Sequence, residues 1–165
     1  MASGTRTVDK YAIVPAIVNK VATSLSPKLV SLKGYNHVTA VITVVNTTGV
    51  TGSAITLAQS QAVAGTNSKA LGFDTVFTST DIANSVAVTA ATVASNTFTT
   101  TNTANAIAMY CIEVDAAKLD IANGFNTFNV AAANGTNTTL SITYLMGNVP
   151  RFAGGYNSFM NPLAD

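Results

Sequence analysis

From His37 the chain alternates. Val38, Ala40, Ile42 and Val44 fall on one face, and Thr39, Val41, Thr43 and Val45 on the other. A period of two is the geometry of an extended strand, whose successive side chains point to opposite sides. The second face is itself half apolar, which predicts that it is partly covered. Alternation returns in residues 54–59, and again where Leu140, Ile142, Tyr144 and Met146 interleave with Ser141, Thr143 and Leu145. Leu71, Phe73, Val76 and Phe77 give bulk to the run 69–78, while Val86, Val88 and Val93 punctuate a polar, Ala/Thr-rich stretch read as short strands or a long excursion. Thr97-Phe98-Thr99 reads as a strand, and residues 106–114, the most apolar run, as a central one.

Turn formers separate these segments. Residues 46–52 (Asn-Thr-Thr-Gly-Val-Thr-Gly) and 64–67 (Ala-Gly-Thr-Asn) are loop chemistry. Asn134-Gly135 predicts a tight hairpin joining 125–131 to 138–146, because both residues tolerate positive φ. Residues 115–120 form the one convincing helical turn, with Asp115 as N-cap and Gly124 ending the connector. Pro15 cannot donate to a central ladder, so residues 11–18 are expected as an edge strand or an extended arm. Roughly seven to nine strands at a spacing of about 8–12 residues predict an all-β fold. The expected form is an antiparallel β-sandwich or jelly-roll-like barrel with one short helical turn and extended termini. Its parts are an N-terminal arm or edge segment (1–29), the sandwich (30–150) and a C-terminal arm (151–165).

Composition changes the picture by what it lacks. Eight Lys/Arg and seven Asp/Glu are all the charge in 165 residues, against 25 Thr and 16 Asn. General acid–base, nucleophilic and metal chemistry all need clustered titratable groups, so neither an enzyme nor a bound cofactor or metal is expected. The net charge of +1 and pI near 7.8 do not make a nucleic-acid footprint. Mean hydropathy is +0.36, yet no uninterrupted apolar run approaches the ~18–20 residues of a membrane span. What charge there is divides unevenly. Residues 1–33 hold five cations against Asp9, and residues 74–120 five carboxylates against Lys118, an asymmetry suited to orienting a docking event. Cys111 is the single cysteine, so no disulfide within the chain is expected, and Met-Ala-Ser-Gly-Thr-Arg carries no apolar signal segment.

Individual candidates weigh toward structure. His37 has no triad partner or metal set near it in sequence and is expected at a rim or interface. Cys111, between Tyr110 and Ile112, is expected to act as a small buried hydrophobe. Glu113, Asp115 and Asp120 are the one carboxylate cluster, but they lack the spacing and turn glycine of a calcium loop. A carbohydrate site generally wants aromatic platforms, and the chain has no Trp. Past Pro150 the character shifts: Arg151, Phe152, Tyr156, Phe159 and Met160 sit in a Gly/Pro-rich segment that a free tail would not keep. That segment is expected to lie on a neighbour or back on its own sandwich.

Several local words, in order, resemble a family of small β-rich proteins encoded near the major capsid protein of tailed phages. They are residues 30–38 (Val-Ser-Leu-Lys-Gly-Tyr-Asn-His-Val), 69–74 (Lys-Ala-Leu-Gly-Phe-Asp), 95–98 (Ser-Asn-Thr-Phe), 112–120 (Ile-Glu-Val-Asp-Ala-Ala-Lys-Leu-Asp), 123–125 (Asn-Gly-Phe) and 151–154 (Arg-Phe-Ala-Gly). The resemblance covers about residues 30–154; the chain departs from it in being less acidic and in running on past Gly154. It implies a head decoration or cement protein, made in the host cytoplasm and carried on the virion capsid surface. Its partners would be the major capsid protein and further copies of itself, as a homotrimer, with no nucleic acid or membrane. On that reading Tyr11, Ile13, Arg151, Phe152, Tyr156, Phe159 and Met160 make the contacts, and Lys10, Lys20 and Lys28 steer toward an acidic shell. The rival expectations are a receptor- or glycan-binding domain of a spike or fibre, and a tail-tube or connector component.

Overall fold

The computed structural model describes residues 11–25, 28–84 and 86–147. In chain order the strands are β1 (Tyr11–Val21), β2 (Ser24–Leu25), β3 (Val30–Ser31), β4 (His37–Thr51), β5 (Ala54–Ser60) and β6 (Lys69–Ala70). They continue with β7 (Thr75–Ser79), β8 (Thr89–Thr92), β9 (Thr97–Thr99), β10 (Ile107–Asp115), β11 (Thr127–Ala133) and β12 (Thr136–Gly147). Two antiparallel sheets pack face to face. One runs β1-β12-β4-β10-β7-β8. The other runs β2-β11-β5-β6, with β3 also on β11 and β9 also on β5. The fold is an all-β sandwich.

The two sheets repeat one order. Over β1, β12, β4 and β10 lie β2, β11, β5 and β9, and each facing pair is one continuous piece of chain bent at a corner. The corners at 22–23, 134–135, 52–53 and 100–106 stack at one end of the sandwich. Gly135 N–H donates to the Ala22 carbonyl at 2.8 Å, and Thr100 N–H to the Ser53 carbonyl at 2.9 Å. The Ser53 hydroxyl donates to the Ala133 carbonyl at 3.0 Å. Stacking backbone this closely leaves no room for side chains at two positions. A Cβ on Gly52 would lie 2.3 Å from the Thr100 carbonyl oxygen, and one on Gly135 would lie 2.7 Å from the Ala22 Cβ.

This arrangement corrects the expected hairpin. β11 and β12 lie in different sheets, β11 pairing with β5 and β12 with β4 and β1. Asn134 does adopt positive φ (61°), but Asn134-Gly135 turns the chain across the sandwich instead of back along its own strand. The apolar faces of 127–133 and 136–147 are satisfied by opposite walls of one core, which a two-stranded hairpin could not offer. The helical turn is a 3-10 turn at Ala116–Lys118, one of three among the described residues with Ile82–Asn84 and Ile121–Asn123. Asp115 precedes the turn, but its side chain makes no capping hydrogen bond. Gly124 ends the connector with φ 81°, as expected.

The alternation of β4 is realised. Val38, Ala40, Ile42 and Val44 are fully buried, while Thr39, Val41 and Thr43 are half-exposed on the other side. Facing them across the core are Ile55, Leu57, Phe128 and Val130. Each fully buried aliphatic or aromatic side chain contributes about 1.5–3 kcal/mol. Tyr144 is the largest of these buried side chains and meets Phe128 edge-on at 5.4 Å between ring centroids. Its hydroxyl accepts the Val130 N–H at 2.9 Å and donates to the Lys28 carbonyl at 3.3 Å, tying the two walls together. Burial pushes the Tyr144 phenol well above its ordinary pKa. β1 lies at the edge of its sheet, where Pro15 costs no central ladder bond.

Candidate functional site

The chain's sparse chemistry gathers at the end of the sandwich away from the stacked corners. Antiparallel register sets His37 of β4 opposite Asp115 of β10, and Glu113 opposite Thr39. His37 Nδ1 is 3.0 Å from Asp115 Oδ1, and Nε2 is 3.1 Å from Thr39 Oγ1. A carboxylate can only accept, so Nδ1 carries a proton and donates it to Asp115. Sequence reasoning found no partner for His37 because Asp115 is 78 residues away; only pairing of β4 with β10 brings them together.

His37 and Asp115 line an open cleft of about 360 Å³ with Asp74, Thr75, Phe77, Glu113 and Lys118. Lys118 Nζ donates to Asp74 Oδ2 at 2.6 Å. The same pair borders a second cleft, of about 460 Å³, lined also by Gln59, Leu71, Phe73, Val93 and Ser95. Asp120, which the sequence groups with Glu113 and Asp115, faces elsewhere and pairs with Lys69. Lys69 hydrogen-bonding, helped by Asn123, holds the Asp120 carboxyl below the usual range. The Lys69 ammonium also sits 4.0 Å from the centre of the Phe125 ring.

Carboxylate, imidazole and hydroxyl stand in the order of a hydrolytic triad, but the surroundings do not complete one. Thr39 lies on an inner strand, paired with β12 on one side and β10 on the other, so the backbone amides beside its hydroxyl are committed to ladders. An oxyanion needs such donors aimed at it. The Asp115 side chain is 69% exposed, which leaves the pair in a high-dielectric setting where it contributes about 0–1 kcal/mol. Chemically the string is a cross-strand brace. Among the described residues, no group of three His, Cys, Asp or Glu side chains is arranged to hold a metal ion.

Cys111 corrects its expected placement. Alternation along β10 turns Tyr110 and Ile112 into the core and Cys111 outward, half-buried beside Val41 and Phe77 in register. Burial, then the nearby Glu113 charge, pushes its thiol pKa up. Of the expected contact residues, Tyr11, Ile13 and Lys20 lie on the edge strand β1, with Ile13 47% exposed. Lys28 is exposed between β2 and β3. Lys10, Arg151, Phe152, Tyr156, Phe159 and Met160 lie outside the described residues.

The structure adds residues that sequence reasoning treated as strand filling. Most of the large exposed apolar side chains among the described residues lie toward the two lateral borders of the six-stranded sheet: Ile13, Val18 and Val21 on β1, and Phe77, Ile82, Val86 and Val88 in the β7–β8 segment, with Val45 on β4 and Ile121 in a turn elsewhere. The available signal was valines in a polar stretch that alternates too briefly to bury them.

No family model matches the chain, and no curated protein matches it in sequence. Among solved structures, the crystal structure of the SPBc2 prophage-derived protein YomS is similar at a TM-score of 0.47 and 9% identity, over 83% of this chain and 93% of that one.

Proposed function

We propose that this chain is a non-catalytic structural protein of a tailed-phage virion: a decoration or cement protein that binds on the capsid surface between major capsid protein subunits. The observation that carries the reading is the exposed apolar material on the two lateral borders of the large sheet, with Val18 63% and Val88 57% exposed. Contiguous apolar surface on a folded protein marks sites of protein contact. Two such borders on one rigid sandwich suit a body that bridges neighbouring subunits, where linked modest contacts gain avidity. The ordered sequence words between residues 30 and 154 support the same assignment.

Particles purified from cells carrying the encoding genome test it. The chain is expected on heads in numbers comparable with the shell subunit, and a Val86→Asp/Val88→Asp variant is expected to lose occupancy at least tenfold while its Tm holds. Absence from particles overturns the reading, as does a ring of about six or twelve copies, the closed symmetry of a connector. Unchanged occupancy of the variant removes the β7–β8 border from the contact.

A further inference from the structure

The cleft beside His37 is unbalanced in charge. Asp74, Glu113 and Asp115 line it against the ammonium of Lys118, which Asp74 already engages. Asp115 holds His37, and Glu113 makes no ion pair among the described residues. Alternation on β10 turns Glu113 outward, where it is exposed. Phe77, 39% exposed, lines the same cleft. Carboxylates beside an open aromatic ring are what a guanidinium recognises. Its fork of N–H donors pairs with the first, and its flat face stacks on the second.

We propose that Arg151 of the same chain occupies this cleft, strapping the C-terminal segment across the end of the large sheet. Position and length single it out. β12 ends at Gly147, in the row that holds His37 and Asp115. Asp115 lies two strands from Gly147, about 10 Å at about 4.8 Å per strand, and the four residues to Arg151 span about 13 Å when extended. Arg6, the other arginine, starts a strand farther off, beyond Tyr11 on β1. Lys69 is taken by Asp120, and Lys20 lies toward the opposite end of β1, in register with Leu140. The sequence on either side of the contact also matches. Residues 152–164 carry no charge, and neither do the rows of the outer face beyond Glu113, which hold Val41, Cys111 and Phe77, then Thr43 and Met109. A cation followed by uncharged chain meets an acidic cleft followed by uncharged sheet. Of the two places the sequence allows this segment, on a neighbour or on its own sandwich, the cleft selects the second. Strapping needs no shell and leaves both apolar borders free, so it stands or falls apart from the capsid assignment.

Trypsin reads the contact directly, because Arg151 is the one Lys or Arg after Lys118. A guanidinium held by the cleft cannot enter the protease, so cutting there tracks the fraction of chains in which it is released. In limited digestion of the full chain, Glu113→Gln/Asp115→Asn is expected to be cut at Arg151 about tenfold faster than wild type. Cutting at Arg6 is the internal reference and is expected to stay unchanged. Phe77→Leu removes the aromatic face alone and is expected to speed cutting at Arg151 about threefold. Protection in wild type is expected to be independent of protein concentration. Equal cutting of wild type and the carboxylate variant overturns the proposal. Protection that appears only on concentrating also overturns it, since the segment would then sit on another copy. Faster cutting at Arg6 instead of Arg151 overturns it too, by making the N-terminal segment the occupant.

Discussion

The two ends of the sandwich are built on opposite principles. At the corner end four bent strands stack backbone on backbone, and the polar groups there are amides and hydroxyls engaged by other parts of the chain. Asn46, only 3% exposed, donates through Nδ2 to the carbonyls of Thr101 at 3.0 Å and Thr103 at 3.1 Å, and accepts from the Thr138 hydroxyl at 3.1 Å. At the cleft end the contacts are between side chains that solvent reaches: the ion pairs Lys118–Asp74 and Lys69–Asp120, and the His37–Asp115 hydrogen bond. Buried neutral hydrogen bonds are costly to orphan, whereas exposed ion pairs are cheap to lose. The difference explains how a chain so poor in charge holds its shape: the Thr and Asn content works at the corners, and the few charges trim the far end.

The sharpest way to break the comparison is to force a side chain into the stacked corners. Gly52→Ala puts a methyl 2.3 Å from backbone oxygen, which no rotamer relieves. A loss of about 3 kcal/mol or more is expected by chemical denaturation, at or above the top of the usual overpacking range. Gly135→Ala meets a side-chain methyl and backbone instead, and a loss of about 2–3 kcal/mol is expected. Asn46→Ala takes the donor from the Thr101 and Thr103 carbonyls, while the Thr138 hydroxyl keeps the Thr51 and Thr136 carbonyls as acceptors, and should cost about 1–3 kcal/mol. A result under about 0.5 kcal/mol for all three would show that the corners are not what holds the sandwich.

Tyr144→Phe tests the core between the two ends. It keeps the ring packing and leaves the Val130 N–H without its acceptor, an expected loss of about 1–2 kcal/mol. It also carries a pH signature. The folded-state phenol pKa is raised, so the stabilisation is complete below the unfolded value of about 10 and is lost as pH rises above it. Wild type is therefore expected to lose stability more steeply than Tyr144→Phe above about pH 10. Tyr35 and Tyr110 are shifted in the same direction by burial and keep part of that slope in the variant.

Much of the architecture was legible in the sequence because a strand writes its own burial every second residue: β4 and β12 read directly from alternation, and β10 from its unbroken apolar run. Which strand neighbours which did not. Asn134-Gly135 carries the same local chemistry whether the chain reverses within one sheet or crosses to another, and only the facing wall of the core decides. Gly52 reads as turn punctuation, yet the space it yields to Thr100 is set by a segment nearly fifty residues on. His37 and Asp115 show the same limit at the cleft. Their residue types are plain, and their meeting depends on the β4–β10 register. Cys111 was misplaced for a different reason: an apolar run hides its own period, and only pairing assigns inward and outward faces.

The smallest effects are expected at the cleft end, and their smallness is what sharpens the comparison. A double-mutant cycle with His37→Ala and Asp115→Ala should give a coupling of about 0–1 kcal/mol, falling further in high salt. A coupling of about 3 kcal/mol would mark a shielded, charge-assisted pair and reopen a catalytic role for the string with Thr39. Asp120 supplies the matching pH test. Its carboxyl is held low by Lys69, so the stabilisation is present above the ordinary carboxylate range and is lost as pH falls through the depressed folded value. Replacing Lys69 with Met removes that cause while leaving a chain long enough to cover the Phe125 ring. A small loss is then expected near neutrality, vanishing as pH falls through the carboxylate range, so the acid limb of stability becomes less steep. A large loss near neutrality would mean that this exposed ion pair supports the fold as the buried corner amides do, and the contrast between the two ends would fail.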